Sequence, residues 1–379
     1  MDVLVLGGTV FLGRAVVAEA LAAGANVTVF NRGRSGPAPE GTTQVTGDRT
    51  VADDLEQLAG RHFDVVVDTS GYVPADVALA AKLLAPTSDN YAFVSTINVF
   101  PGWPEQPDYH AGGLHDGRPD ATRADAPEDE AAGYGWLKRG CELAVQREFG
   151  ADRSSVLRAG CIVGPDDKVA GRLPWWIDRV ARGGEVLTPG APSDPVSLID
   201  ARDIARFALG RPVGEFELTG AAVERATFMA TCQKVTVSDA RLTWVDSEWL
   251  AAQDVDEWTE IPLWSTGPEH VPARRRRGGR GRTARAPPAR DGRRHLGLAA
   301  GDRGRLADGR AHAGARPGQG GSAPQGVARP LGAGGGCAEP GRPSAAPYTP
   351  ASCTRWPEPC SHRARSIRTT CSTASGWPD

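Results

Sequence analysis

The amino-acid sequence predicts an α/β fold built on a doubly wound parallel sheet. An apolar strand at residues 3–6 runs into a glycine turn, and a helix-forming segment at 14–23 follows the turn. Short apolar runs then alternate with helical segments as far as residue 94. Because parallel strands need long crossover connections, this alternation is typical of a parallel sheet with helices on both faces.

The glycine turn at residues 7–13 predicts a phosphate-binding site. A strand entering such a turn and a helix leaving it direct backbone N–H groups and the positive end of a helix dipole at one point. A plain strand–helix turn is the alternative, but the position after the first strand favours a dinucleotide site. Val10 stands where a middle glycine would be expected. The candidate cofactor contacts here are Gly7, Gly8, Thr9, Phe11, Leu12 and Gly13.

The end of the second strand, residues 26–30, bears on the choice of cofactor. In a dinucleotide fold this end meets the adenosine ribose, where an acidic residue would select NAD. Here Asn31 and Arg32 follow the strand, and both are candidate cofactor contacts. A guanidinium suits a 2′-phosphate, so the sequence modestly favours NADP over NAD. The alternative is that Arg32 is a solvated loop charge.

The next segments complete the predicted large domain. A third strand at 45–48 would place Asp48 near the adenine. Thr69 and Ser70, at the end of the fourth strand, are further candidate cofactor contacts, because ligands bind at the carboxyl ends of parallel strands. The predicted elements after the third strand are a helix at 51–58, a strand at 64–69, a helix at 74–84 and a strand at 91–94.

Two pairs of side chains are the candidate catalytic residues. Ser95 and Thr96 end the fifth strand, where a hydroxyl faces the ligand crevice. Tyr134 and Lys138 share one face of a helix predicted at 128–149. A neighbouring ammonium lowers the pKa of a tyrosine, which could then exchange a proton with an alcohol oxygen, while the lysine could bind ribose hydroxyls. Alone, Thr96 would be a common strand-end residue, and Tyr134 with Lys138 would be a surface aromatic–cation pair. Together, after a dinucleotide turn, they favour an active site.

The chain after residue 150 predicts a smaller second region. We expect a dinucleotide-binding domain at 1–165, a substrate-binding region at 166–272 that returns to the large domain near 196–209, and a tail at 273–379. Trp175 and Trp176 either line the substrate pocket or pack in a core. The predicted strands are at 155–157 with 159–163, 196–199, 215–219 and 242–245, and the helices at 172–180, 201–209, 227–234 and 247–252.

Charge divides the chain into two parts. Residues 1–272 carry 23 basic and 40 acidic side chains, a net charge of −17 that argues against nucleic acid as a partner of this part. Residues 273–379 hold 20 Arg, no Lys and 6 acidic residues, and their Arg/Gly/Ala/Pro composition cannot build a core, which predicts disorder. The tail is a nucleic-acid-binding segment, a linker or the out-of-frame translation of a GC-rich gene; composition favours the last.

Other features concern the compartment and the metal content. No run approaches the roughly 20 apolar residues of a membrane helix, and no signal peptide is expected. We therefore expect no association with a membrane. Cys141, Cys161 and Cys232 are widely spaced, which predicts buried free thiols in the reducing cytoplasm. His110 and His115 lack metal-ligand spacing and are expected to be solvated, so no metal site is predicted. The sequence is compatible with a homodimer.

Several motifs occur in a fixed order along the chain, and as a set they are specific for one protein family. They are the turn at 7–13, Asp48, Ser95–Thr96, Tyr134 with Lys138, residues 157–165 and residues 197–204. Over about residues 1–270 this set resembles the extended or atypical short-chain dehydrogenase/reductase family, the NAD-dependent epimerase/dehydratase group. The resemblance implies a Rossmann-type fold and NAD or NADP. The turn without a middle glycine is similar to a subgroup that includes chloroplast stem-loop-binding proteins.

The resemblance also implies roles for single residues. Tyr134 would be the catalytic acid/base, Lys138 would hold the nicotinamide ribose, and Thr96 would orient the substrate oxygen, with Ser95 as its nearby substitute. The family's sugar-nucleotide dehydratases place Asp-Glu after this threonine, where the present chain has Ile97 and Asn98. Because an amide cannot exchange a proton, dehydration is not expected.

Two classes of function follow. The first is an NAD(P)-dependent oxidoreductase or epimerase acting on a hydroxyl or carbonyl carbon of a small molecule, for example a sugar nucleotide or a secondary metabolite. The second is a non-catalytic cofactor-binding protein with a regulatory or RNA-binding role. The complete Thr, Tyr and Lys set favours the enzyme, because a binding protein does not need it.

Overall fold

A computed structural model describes residues 1–103, 110–168 and 171–266 of the protein. These residues all fall within Met1–Arg303, one of the two units into which the chain divides. The tail predicted at 273–379 lies outside the described residues.

Seven parallel strands form the central sheet. The strands of the described chain are β1 (Asp2–Leu6), β2 (Asn26–Asn31), β3 (Thr42–Thr46), β4 (Val65–Asp68), β5 (Tyr91–Thr96), β6 (Ser154–Ala159), β7 (Cys161–Val163), β8 (Glu185–Pro189), β9 (Pro195–Val196), β10 (Leu198–Asp200), β11 (Gly214–Leu218), β12 (Val223–Glu224) and β13 (Arg241–Val245). The central order is β11-β6-β5-β4-β1-β2-β3, with every neighbouring pair parallel. This confirms the predicted doubly wound α/β sheet of Rossmann type.

Helices cover both faces of this sheet, and others pack apart from it. The α-helices of the described chain are α1 (Phe11–Ala22), α2 (Ala52–Glu56), α3 (Pro74–Leu84), α4 (Glu130–Phe149), α5 (Arg172–Ala181), α6 (Ala201–Leu209), α7 (Arg225–Thr236) and α8 (Ser247–Ala251). Because side chains alternate along a strand, Val3 and Val5 pack with α1 and α6, whereas Leu4 and Leu6 pack with α2, α3 and α4. Among the described residues, no helix is both long and apolar enough to cross a membrane.

A third hydrophobic cluster is separate from the two clusters on the sheet. It contains Trp176 of α5, Phe228 of α7 and Leu250 of α8. The indole nitrogen of Trp176 donates to the carbonyl of Pro262 at 2.7 Å, so this tryptophan is a core residue. Trp175, its half-buried neighbour, packs edge-on against it with 4.8 Å between the ring centroids.

Some predicted strands are wrong in extent, and the structure shows pairings that were not predicted. Residues 196–199 form parts of two strands, β9 and β10, which pair with β12 and β7. The strand predicted across 155–163 is interrupted at Gly160, and only β6 joins the large sheet. The strand predicted at 215–219 is β11, which pairs with β6 in that sheet, so the return to the large sheet extends beyond residue 209. Because these paired strands lie far apart along the chain, the local sequence does not show which strand pairs with which.

Boundaries differ most beside the glycine turn and after β3. Helix α1 begins at Phe11, three residues earlier than predicted, directly after the extended Val10. Strand β3 ends at Thr46, and Asp48 lies in a turn because its Oδ1 accepts a hydrogen bond from the backbone N–H of Thr50 at 3.0 Å. Such a bond between a side chain and the backbone competes with the strand ladder.

The three described cysteines are free thiols, as predicted. Burial raises the pKa of Cys141 to about 12 and that of Cys232 to about 12. Cys161 is half-buried, and its pKa is also raised, to about 11. At neutral pH all three are therefore protonated and weakly nucleophilic.

A buried ion pair fixes the carboxyl end of β4. Arg49 donates two hydrogen bonds of 2.8 Å to the two carboxylate oxygens of Asp68. The hydroxyl of Tyr91 donates to Oδ2 of Asp68 at 2.7 Å, and the N–H of Ser70 donates to Oδ1 at 3.0 Å. Burial opposes ionisation, but the charge of Arg49 and these bonds outweigh it and lower the pKa of Asp68.

The substitution Asp68→Asn is expected to lower the free energy of unfolding by about 3–5 kcal/mol, because it leaves the guanidinium of Arg49 buried without a countercharge. Denaturant unfolding at pH 7 measures this loss. Asp89→Asn is the control, since its ion pairs are exposed and contribute less than about 1 kcal/mol. The lowered pKa means that the wild type loses this stabilisation as the pH falls below about 4. A difference between wild type and Asp68→Asn that is as large at pH 2 as at pH 7 would contradict this explanation.

Candidate active site

The glycine turn is built by backbone contacts that exclude side chains. Gly7 has a φ of +113°, and a Cβ there would lie 2.7 Å from Oγ1 of Thr69. A Cβ on Gly13 would lie 2.6 Å from the backbone nitrogen of Gly8, so α1 approaches the strand end closely. Val10 adopts an extended conformation that any residue can adopt, and its side chain is exposed. The absence of a middle glycine therefore costs this turn nothing in backbone strain.

Three of the predicted cofactor contacts hold the turn by their side chains. The hydroxyls of Thr69 and Ser70 both donate to the carbonyl of Leu6 at 3.1 Å. The amide of Asn31 donates to the carbonyl of Gly7 at 3.0 Å. These side chains fix the shape of the turn.

The other residues of the turn lie at the start of α1. Thr9 and Leu12 are buried, and Phe11 packs against the hydrophobic cluster on that face of the sheet. Phe11 has a φ of +34°, a conformation that non-glycine residues rarely adopt.

Charged side chains meet where β2 and β3 end. The N–H of Thr50 donates to Asp48, and this bond together with the positive charges of Arg32 and Arg34 lowers the pKa of Asp48. Both arginines are exposed. Two positive charges therefore act on an ionised carboxylate at the edge where the sequence predicts the adenosine.

The ammonium of Lys138 is buried at the crevice. It donates hydrogen bonds to the carbonyls of Gly71 at 2.8 Å and Val94 at 2.7 Å. It also lies 4.2 Å from the ring centroid of Phe93 and 5.4 Å from that of Tyr72. Burial lowers the pKa of Lys138, although nearby anionic groups oppose this.

Thr96 and Tyr134, both predicted to be catalytic residues, lie together in the structure. A hydrogen bond joins their side chains, and the hydroxyl of Thr96 also donates to Oδ1 of Asn98 at 2.8 Å. Gly135 makes this approach possible, because a Cβ there would overlap the carbonyl oxygen of Asn98. Sequence reasoning missed this role, and a glycine beside the tyrosine inside a helix was the available signal.

The pKa of Tyr134 is raised, so the predicted lowering is wrong for this structure. Burial is the main cause, and the neighbouring phenol of Tyr72 adds to it. The hydrogen bond with Thr96 and the guanidinium of Arg172 oppose the rise without overcoming it. Lys138 directs its hydrogen bonds to backbone carbonyls, and desolvation of the phenol therefore dominates. Tyr72 was not singled out from the sequence.

The side chain of Ser95 forms its hydrogen bond away from the Thr96–Tyr134 pair. Its hydroxyl donates to Oε1 of Glu142 at 2.6 Å, and Arg158 donates two hydrogen bonds to the same carboxylate, at 3.0 Å and 2.7 Å. Arg158 also donates to Glu215 of β11. The prediction of a catalytic role for Ser95 does not fit this geometry, because its hydroxyl belongs to a buried network that joins α4 to the sheet.

The two loop histidines are less solvated than predicted. Nε2 of His110 lies 2.9 Å from Oε1 of Glu217, and its ring packs edge-on against Phe100. His115 is half-buried, and burial lowers its pKa. In the part of the chain that the structure describes, no cluster of His, Cys, Asp and Glu has the geometry of a metal site.

The sheet order and the glycine turn define the class of Rossmann-type proteins. The chain belongs to the NAD dependent epimerase/dehydratase family, whose family model matches residues 3–209. The family places it among NAD-dependent epimerases and oxidoreductases.

Solved structures share this fold. The Bordetella bronchiseptica enzyme WbmH, in complex with NAD⁺, is 16% identical with a TM-score of 0.50, over 65% of this chain and 85% of that chain. An epimerase from the methanogen Methanothermobacter thermautotrophicus is 15% identical with a TM-score of 0.50, over 65% of this chain and 80% of that chain. At these identities the similarity concerns the fold alone. A search of curated proteins returned no match.

The substitution Gly13→Ala is expected to weaken NADH binding by about 10-fold or more, since the new Cβ must displace the backbone of Gly8. Fluorescence titration with NADH measures the affinity. Gly24→Ala is the matched control at the other end of α1: its φ of +75° adds strain, but a Cβ there meets nothing within 4 Å. The control is expected to lose about 1 kcal/mol of stability and no affinity. Equal affinities for NADH in the two variants would contradict the role of the turn.

Proposed function

We propose that this chain is an NAD(P)-dependent oxidoreductase or epimerase that acts on a hydroxyl or carbonyl carbon of a small molecule. The observation that carries the proposal is the hydrogen-bonded pair of Thr96 and Tyr134 at the carboxyl edge of the sheet that also carries the glycine turn. Ligands of doubly wound sheets bind at this edge. The free thiols of the described cysteines suit a cytoplasmic location.

The turn suits a dinucleotide pyrophosphate. A Cβ at Gly7 would collide with Thr69 and one at Gly13 with the backbone of Gly8, so these glycines keep the turn tight, and the N–H groups at the start of α1 would bind the phosphates. Asp48 would contact the adenosine, and Arg32 would favour a 2′-phosphate. When bound, nicotinamide supplies or accepts a hydride at C4.

The raised pKa of Tyr134 favours the protonated phenol. At neutral pH the phenol keeps its proton, so Tyr134 would donate it to a carbonyl oxygen as the adjacent carbon is reduced. Thr96 would hydrogen-bond the same oxygen. Two hydrogens of the Lys138 ammonium are held by carbonyls, which leaves a third donor for a ribose hydroxyl.

Residues outside the cofactor crevice would bind the substrate. The third hydrophobic cluster supports a substrate-binding region at 166–272, with residues 196–218 returning to the large sheet. Asn98 accepts a hydrogen bond from Thr96 at the place where a dehydratase needs a proton-exchanging side chain, which favours reduction or epimerisation over dehydration.

A non-catalytic cofactor-binding protein with a regulatory or RNA-binding role is the second candidate. The composition of residues 1–272, with 23 basic and 40 acidic side chains, disfavours RNA on this part. The contact between Tyr134 and Thr96 favours the enzyme, because cofactor binding alone does not need it.

The substitution Tyr134→Phe is expected to abolish turnover while leaving NADPH or NADH affinity within about twofold, because only the proton-donating hydroxyl is removed. A panel of carbonyl compounds, followed by the absorbance of the reduced nicotinamide, measures turnover. Tyr91→Phe is the control: it loses a hydrogen bond to Asp68 and about 1–3 kcal/mol of stability, but it keeps turnover. Undiminished turnover of Tyr134→Phe would overturn the proposed role.

The substitution Arg32→Gln is expected to weaken NADPH binding by about 10-fold and to leave NADH binding unchanged, because only NADPH carries the 2′-phosphate. Titrations of both cofactors with both proteins measure the effect. Arg34→Gln shows whether the neighbouring charge shares the role. A wild type that binds NADH as tightly as NADPH would contradict the preference for NADP.

A further inference from the structure

A polar cavity of about 300 Å³ opens at the amino edge of the central sheet, where β1, β2 and β3 begin. The glycine turn and Thr96 lie at the opposite, carboxyl edge, at the ends of β1 and β5. A strand of five residues such as β1 spans roughly 17 Å, so the cavity is separate from the candidate active site. Its volume is at the lower end of the range of roughly 300–1,000 Å³ that is usual for small-molecule sites.

Polar side chains line this cavity across three neighbouring strands. The strand register places Asp2 of β1 beside Asn26 of β2, and Thr28 of β2 beside Thr43 of β3. Asn26 and Thr28 are two residues apart and therefore lie on one face of the sheet. Thr28 is only 5% exposed, whereas strands covered on both faces are usually apolar. The buried hydroxyl of Thr28 is therefore an exception to the apolar pattern of the sheet.

Arg61 supplies a positive charge to the cavity. Its Nη2 donates a hydrogen bond of 2.8 Å to Oγ1 of Thr28, and its guanidinium carbon lies 5.4 Å from the ring centroid of the buried Phe63. These two contacts hold the guanidinium against the sheet. Among the residues that the structure describes, no carboxylate forms an ion pair with Arg61. The remaining N–H donors of the guanidinium are therefore available to a ligand.

Two hydroxyls add further donors beside this guanidinium. Oγ1 of Thr28 accepts its bond from Arg61, and within the described ranges no acceptor takes the proton of that hydroxyl. The hydroxyl of Thr43, in the same part of the chain, likewise has no hydrogen-bond partner. One guanidinium and two hydroxyls are the kind of donor set that binds the oxygens of a phosphate.

The other charged groups of the cavity already have partners. Oδ1 of Asp2 accepts a hydrogen bond of 3.0 Å from the amide of Asn26, and Nε2 of His62 lies 3.1 Å from Oδ1 of Asp89. Because neighbouring strands are about 4.8 Å apart, Asp2 on β1 and Thr43 on β3 are separated by roughly 10 Å across the sheet. The cavity therefore has a cationic end at β2 and β3 and a carboxylate end at β1, where a hydroxyl could donate to Asp2.

We propose that this cavity binds a small phosphate monoester that also carries a hydroxyl group. The phosphate would lie on Arg61, Thr28 and Thr43, and the ligand hydroxyl would point towards Asp2. The planar guanidinium would offer N–H donors to phosphate oxygens, as it does in other phosphate sites. The proposal is independent of the proposed function, because the cavity and the nicotinamide site lie at opposite edges of the sheet.

Isothermal titration calorimetry of the full chain with glycerol 1-phosphate and with glycerol tests this proposal, since the two probes differ only in the phosphate. We expect the wild type to bind glycerol 1-phosphate at least about 10-fold more tightly than glycerol, and Arg61→Gln to remove that difference. Thr43→Val removes an exposed hydroxyl and keeps the shape of the side chain, so it is expected to fold normally and to bind about 3-fold more weakly.

Two further variants separate this role from general effects of charge. Arg61→Lys keeps the charge without the planar fork and is expected to recover only part of the affinity for glycerol 1-phosphate. Arg241→Gln removes an exposed arginine of β13, outside the central sheet, and should change nothing.

Competition with NADH distinguishes the cavity from the glycine turn, which also suits a phosphate. Because the two sites are separate, we expect added NADH to leave the affinity for glycerol 1-phosphate unchanged. An affinity that falls when NADH is added would place the probe at the turn and overturn the proposal. So would equal affinities of wild type and Arg61→Gln, or a wild type that does not prefer glycerol 1-phosphate to glycerol.

Discussion

The buried ammonium of Lys138 joins the three segments on which the site depends. Its hydrogen bonds to the carbonyls of Gly71 and Val94 tie α4 to the loop after β4 and to β5. Within the described ranges it forms no ion pair with a carboxylate, and carbonyl dipoles and the face of Phe93 surround the charge instead. A displacement of α4 would break these bonds and would also separate Tyr134 from Thr96. The position of the phenol thus depends on a lysine that is itself held by backbone.

Close contacts between backbone segments fix the positions of α1 and α4 at the site. Gly13 lets the start of α1 meet Gly8, and Gly135 lets α4 meet the turn after β5. A glycine inside a helix costs roughly 1 kcal/mol relative to alanine, and at these two positions the cost is offset by contacts that no side chain would permit. At both ends of this sheet edge, a glycine therefore allows a close contact between two backbone segments. One contact positions the glycine turn, and the other positions Tyr134.

Much of the fold was predictable because its signals are local. Continuous apolar runs mark the strands buried on both faces, and α3 and α6 have the predicted bounds. The proximity of Thr96 and Tyr134 follows from the parallel topology. The separate engagement of Ser95 with Glu142 does not, because it depends on the register of α4 against β5. The direction of the Tyr134 pKa likewise depends on burial, which a spacing of four residues cannot show.

The central claim is that the glycine turn and the Thr96–Tyr134 pair are two ends of one nicotinamide dinucleotide site. A crystal structure of the full chain with NADP⁺ or NAD⁺ tests it most directly. We expect the pyrophosphate on the N–H groups of residues 7–13 and the nicotinamide ring beside Tyr134, with its C4 open to the crevice. A dinucleotide bound away from that turn, or a nicotinamide ring that does not approach Tyr134, would contradict it.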